Sequence, residues 1–123
     1  MNVRWVKTAA LLGALAVILG AFGAHALEQR LSERALEVWQ TANRYHFFHV
    51  LALLGLGIWE GLGGRGARAA ALAWLLGIAV FCGGLYLYAL TGIKLGAMLA
   101  PVGGLSLAAG WLALLRLEAG PAR

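Results

Sequence analysis

Long uncharged runs alternate with short charged stretches along the chain. Thr8–Leu27, "TAALLGALAVILGAFGAHAL", carries no charge over 20 residues. Ala69–Ile93 runs uncharged for 25 residues and Leu95–Leu115 for 21. A helix needs roughly 20 apolar residues to cross about 30 Å of hydrocarbon, so each run predicts a transmembrane helix. The second run, Tyr45–Trp59, has 15 residues and reaches 20 only by taking in Glu60 and ending at Gly64, so this span carries a carboxylate near one end, is short, or starts earlier. The predicted spans are approximately 6–27, 45–64, 69–91 and 96–116, within a single membrane domain over 1–123. The N-terminus imitates a secretory leader, with Arg4 and Lys7 before the run and "AHA" at Ala24–Ala26. A leader's apolar core is usually about 7–15 residues, shorter than this one. The segment therefore reads as a first transmembrane helix.

Between the first two spans, "EQRLSERALEVWQTANR" (Glu28–Arg44) contains neither Gly nor Pro. Leu27, Leu31, Ala35, Trp39 and Ala42 recur at three- and four-residue steps, the period of an amphipathic helix. Two placements fit. The segment lies on the membrane surface with Trp39 in the interface, or it is a helical connector packed on the bundle. "EGLGGRGAR" and "TGIKLG" read as turns, and "LEAGPAR" as a frayed tail. The fold class that follows is an all-α membrane protein, a four-transmembrane-helix bundle with an amphipathic connector between helices 1 and 2.

Composition agrees. Apolar residues make up 62% and charged residues 12%, against about 45–50% and about 25% in soluble domains. The net charge of +5 is spread over short loops, with no nucleic-acid motif beside it, so the lipid bilayer is the expected partner and nucleic acid is not. With four spans, Arg4, Lys7, Arg65, Arg68, Arg116 and Arg123 share one side, and Arg30, Arg34, Arg44 and Lys94 the other. The excess places both termini in the cytoplasm. Cys82, the one cysteine, lies in an apolar run and reads as a small buried hydrophobe.

Helices in lipid associate through close packing, which small residues permit. Candidate packing positions are Gly20 and Ala24, Gly83 and Gly84, and Gly104 and Ala108. Several short motifs also fall in a familiar order: "GAFGAH" (Gly20–His25), Tyr45 with His49, "LALLGL" (Leu51–Leu56), "FCGGLYLYALTG" (Phe81–Gly92), "PVGG" (Pro101–Gly104) and "AGW" (Ala109–Trp111). Together they resemble the YgdD/YwdK family, small bacterial inner-membrane proteins of unknown function with relatives in eukaryotes. The resemblance covers nearly the whole chain and implies four membrane spans. It brings no established activity and no site residues. His46 falls outside it.

No phosphate loop, nucleophile elbow, zinc-protease pattern or cysteine pair is present, so enzymatic activity is not expected. The one polar constellation is His25, Tyr45, His46 and His49, with Glu60 as an intramembrane carboxylate. His25 ends the first span on the side where the second begins, so three imidazoles are expected near one interface. The leading reading is structural. The histidines finish a helix boundary, where backbone groups lack helical partners, with His46 contributing least, and Glu60 snorkels or pairs with Arg65 or Arg68. A proton or solute path from His49 to Glu60 is the functional alternative, because intramembrane ionisable groups default to functional hypotheses. Metal or haem ligation is weaker: two histidines three apart with no adjacent carboxylate make a poor metal signature. No cofactor and no metal is therefore expected. The favoured role is a non-enzymatic membrane protein that packs with itself or with another membrane protein. A subunit of an oligomeric transporter or channel is the alternative.

Overall fold

The computed structural model describes residues 2–120; Arg123, counted above as a topology signal, lies outside them. All the regular elements in that range are helical. Helix α1 (Arg4–Phe22) runs on through a π-turn, Gly23–Leu27. Helix α2 spans Glu33–Gly61. Helices α3 (Ala67–Gly77) and α4 (Gly83–Thr91) are joined through a second π-turn, Ile78–Cys82, into one continuous rod. Helix α5 (Lys94–Ala113) closes the chain with a short 3-10 turn, Leu114–Arg116. Three of these rods, Arg4–Leu27, Ala67–Thr91 and Lys94–Arg116, are long and apolar enough to cross a membrane.

The connector and the second run form one element. Helix α2 is 29 residues long, and nothing in its first two-thirds stops a helix. Ser32 caps it, its Oγ accepting from the Ala35 N–H at 3.1 Å, and the first glycine is Gly55. The chain therefore passes the polar–apolar boundary at Arg44 without a break. The connector packs on the bundle. Trp39 is buried, its Nε1–H donates to the Leu19 carbonyl at 3.0 Å, and its ring packs on Tyr86 at 4.6 Å between centroids.

Helices α1 and α2 form an antiparallel hairpin in close register. A Cβ on Gly57 would meet the Val6 backbone nitrogen at 2.7 Å, one on Gly13 would meet the Val50 side chain at 3.2 Å, and one on Gly20 the Asn43 amide at 2.8 Å. The α3–α4 rod and α5 make a second antiparallel pair. There Gly77 faces Leu107, Gly84 faces Gly96, Gly103 faces Phe81 and Gly110 faces Trp74. Gly96, Gly103 and Gly110 recur every seven residues, so α5 presents one glycine stripe along its length. The expected packing positions hold only in part. Gly20 and Gly84 are in tight contact, Gly104 is in ordinary contact with Phe81, Gly83 has open space beyond its Cα, and Ala24 and Ala108 are exposed. Contact follows which face meets the neighbour, and the four-residue spacing alone does not reveal that face.

Between the two pairs lies a core of small and aromatic side chains, among them Ala9, Ala42, Leu53, Ala70, Ala71, Trp74 and Cys82. Large apolar side chains such as Leu11, Met98, Leu105 and Leu115 point outward, a surface suited to lipid. Arg4 reaches Glu60 with two hydrogen bonds, 3.2 and 3.0 Å, at the end that also holds the 62–66 turn and the C-terminal segment. Glu60 thus pairs with Arg4 rather than with Arg65 or Arg68. Nor is the tail frayed where it is described: Arg65 and Glu118 exchange backbone hydrogen bonds of 2.8 and 3.1 Å. At the opposite end, Gly92 adopts a left-handed conformation (φ 73°) that lets the α4–α5 turn close, the role expected of a glycine just past a helix.

Candidate functional site

Because α2 starts at Glu33, His46 and His49 lie well inside a helix and not at its mouth. The α1–α2 register sets their height between the Asn43–Gly20 and Val50–Gly13 contacts, about half-way along α1. Both are buried, with 1% and 5% of their surface exposed. Polar side chains at such a position must find partners, since an unpaired buried group costs about 1–3 kcal/mol.

His49 is fully partnered. Its Nε2 lies 3.0 Å from the Trp111 Nε1 of α5. An indole N–H only donates, so this nitrogen accepts. The proton then sits on Nδ1, which donates to the Tyr45 carbonyl at 2.7 Å. The ring is packed edge-on against Trp74 and Trp111. His49 therefore ties α2 to α5 as a neutral imidazole, and no lone pair is left for a metal. Tyr45 contributes its carbonyl to this arrangement, while its ring packs on Phe81 of the second π-turn at 4.9 Å.

His46 belongs to a different chain of hydrogen bonds. The Asn43 Nδ2 donates to the Ala16 carbonyl at 2.9 Å and to the Tyr86 hydroxyl at 3.1 Å. The same hydroxyl lies 3.0 Å from the His46 Nδ1. A phenol has one proton. If Nδ1 also donated to it, that proton would have no acceptor among these partners, so the phenol donates to Nδ1 and the His46 proton sits on Nε2. That Nε2–H is buried and makes no hydrogen bond. The Leu12 backbone carbonyl of α1 lies within reach of the ring as a weak acceptor, outside the geometry of a well-formed hydrogen bond. The His46 side chain is one of the residues lining an almost wholly apolar cleft of about 210 Å³ between α1 and the α3–α4 rod.

The expected three-imidazole cluster is not formed. His25 is exposed in the first π-turn, at the far end of α1. Among the described residues no group of three His, Cys, Asp or Glu is placed to hold a metal. Glu60 stands at the terminal end with Arg4 and takes no part in the imidazole network. The expectation that His46 contributes least is reversed in geometry: it is among the most deeply buried large side chains, and it keeps a free donor. Asn43, Tyr86 and Trp111 were not among the sequence candidates. Asn43 was detectable, lying three residues before His46 on the face that also carries Trp39, Val50 and Leu53. Tyr86 and Trp111 were not, because both lie on other helices and only the packing brings them in.

Rods of spanning length and an outward apolar surface define an all-helical, multi-pass membrane protein. Residues 19–104 match the family model described as "Protein of unknown function (DUF423)". The chain belongs to this family, whose curated members are called UPF0382 membrane proteins. It is 42% identical to the UPF0382 membrane protein of Staphylococcus saprophyticus over 116 residues, covering 89% of this chain and 95% of the relative. It is 38% identical to the UPF0382 membrane protein YwdK of Bacillus subtilis, over 82% of this chain and 84% of that one. It is 36% identical to the UPF0382 inner membrane protein YgdD of Escherichia coli, over 87% and 82%. No solved structure matches.

Proposed function

We propose that the protein crosses the bacterial inner membrane four times, with both termini in the cytoplasm, and acts there as a non-enzymatic binding component. The α1–α2 register supports the fourth span: Trp39–Glu60 runs beside α1 from end to end, at the depths α1 itself occupies. Phe48, Leu51 and Ile58 of α2 are exposed and apolar, as a lipid-facing stripe requires. Low hydropathy in this helix comes from Arg44, the histidines and Glu60, and the last three are paired or buried within the bundle. The basic excess at the end carrying Arg4, Lys7, Arg65, Arg68 and Arg116 supports the cytoplasmic orientation.

The observation that carries the binding role is that the interior polar groups pair locally, across single helix contacts, and leave the His46 Nε2–H open. Trp39 with Leu19, Asn43 with Ala16 and Tyr86, His49 with Trp111, and Ser106 with Ala73 form local ties and no continuous path. A second reading, a subunit of an oligomeric transporter, draws on the buried imidazole half-way along the helices. Flux assays on the pure protein in liposomes, with protons and small solutes, separate the two. The binding role expects no flux above protein-free vesicles; saturable flux would establish the transporter.

A further inference from the structure

We propose that the cleft between α1 and the α3–α4 rod binds one bilayer-soluble molecule that presents a carbonyl to the His46 Nε2–H. The inference rests on the membrane-embedded binding role and specifies its ligand. Three features select this chemistry. The first is the donor. Asn43, Tyr86 and His46 form a one-way relay that leaves a proton on Nε2 with no well-aligned acceptor. A ligand that fits must therefore bring an acceptor. Other buried side-chain nitrogens also lack partners, namely the indoles of Trp5, Trp59 and Trp74. Those of Trp59 and Trp74 lie against Gly64 and Gly110, in residues that line a separate cleft; of the four, only His46 lines this one.

The second feature is the wall. Leu12, Leu15 and Leu19 form one side, and Ala79 and Gly83 stand on the other. No charged side chain lines it, so a free anion or cation finds no counter-charge, while an apolar body is accommodated. The third is size and access. A dry cavity of about 150 Å³ holds benzene, so about 210 Å³ accepts a substituted ring or a stretch of acyl chain. Leu15, Ala79 and Gly83 are exposed on the outer surface, which opens the cleft sideways toward the bilayer. Gly83 explains itself here. Gly77, Gly84 and Gly103 are pressed against a neighbouring helix, but a Cβ at Gly83, as at Gly55, would meet nothing within 4 Å. A side chain at this position would fill the cleft.

A quinone ring and a fatty-acyl ester share the required carbonyl, and the test separates them. The full-length protein in nanodiscs is offered decylubiquinone, methyl oleate or decylbenzene, and retention is read by native mass spectrometry with titration. One molecule of a carbonyl probe per chain is expected, bound about tenfold more tightly than decylbenzene, the size of effect one hydrogen bond supplies. Retention of the quinone alone, or of the ester alone, assigns the source. His46→Phe should erase the preference for a carbonyl. Gly83→Leu should abolish retention while leaving the fold intact, and it decides the matter if His46→Phe does not fold. Equal retention of decylbenzene, unchanged retention in Gly83→Leu, or no retention of any probe overturns the proposal. So does a dimer that Gly83→Leu dissociates, which would make a second copy the occupant. Solute flux together with carbonyl-probe retention would sink the non-transport reading and leave this site standing; no flux and no retention does the reverse.

Discussion

Gly83 and Gly84 are neighbours in the sequence and opposites in the fold. A methyl group on Gly84 would sit 2.6 Å from the Gly96 carbonyl oxygen, and that oxygen belongs to a helix backbone that cannot step aside. A methyl group on Gly83 meets open space. Gly84→Ala should therefore force α4 and α5 apart and lower stability in detergent by about 1–3 kcal/mol, the usual cost of overpacking. Gly83→Ala should be neutral or stabilise by up to about 1 kcal/mol, because alanine restricts the unfolded chain and suits a helix better. Thermal unfolding of the two variants side by side checks this; equal effects would show that the close approach at Gly96 is not what holds the pair. The sequence shows both residues as small and nothing more. What separates them is one 100° step around the helix, which depends on where the second π-turn leaves the phase.

At the level of elements, most of the fold was legible. The three apolar rods follow from run length, and the structure returns them within a few residues. The continuity of the second element was not legible at one point, Arg44. Charge ends there, and a change of polarity resembles a change of element. Helix formation responds instead to local breakers, and from Glu33 to Leu54 there is no glycine or proline. The same error moved His46 and His49 to a supposed helix mouth and drew His25 toward them. A proline at position 44 distinguishes the two pictures. If connector and span were separate helices meeting there, Arg44→Pro would be well tolerated. In a continuous α2 it removes a ladder hydrogen bond next to Asn43 and should cost about 3 kcal/mol or more. Circular dichroism and melting in detergent would read the loss, and an unperturbed melt would contradict the single long helix.

Over the whole molecule, the antiparallel order brings Arg4, Glu60, Arg65 and Glu118 to one end and the Glu28–Ser32 and Gly92–Ile93 turns to the other. On a Cys82→Ala background, Asn2→Cys and Arg68→Cys should label from the cytoplasmic side only. Glu33→Cys and Lys94→Cys should label from the opposite side only. Labelling of Glu33→Cys together with Arg68→Cys would rule out α2 as a span. The charge pattern already suggested this arrangement from sequence. The pairings that fasten it were out of reach, since Arg4–Glu60 joins residues 56 apart and one basic residue looks much like another until the helices are docked.

The π-turn at Ile78–Cys82 has the geometry of a single residue inserted into an ordinary helix. Such an insertion acts as a phase shifter. Each residue added to a helix turns everything beyond it by about 100°. Here that rotation directs Tyr86 to His46 and Gly84 to Gly96 at once, while Trp74, before the turn, keeps its place beside His49 and Gly110. Deleting the exposed Ala79 would restore a regular helix and swing both α4 contacts away together. A shortened rod of this kind should still insert, yet it should lose the Tyr86–His46 bond and the α4–α5 seam in one step. Loss of the bond seen by imidazole nitrogen NMR, together with a lowered melting temperature, would mark the turn as the alignment device of the bundle. An unchanged Tyr86–His46 signal in the deletion variant would show that the helix absorbs the lost residue elsewhere.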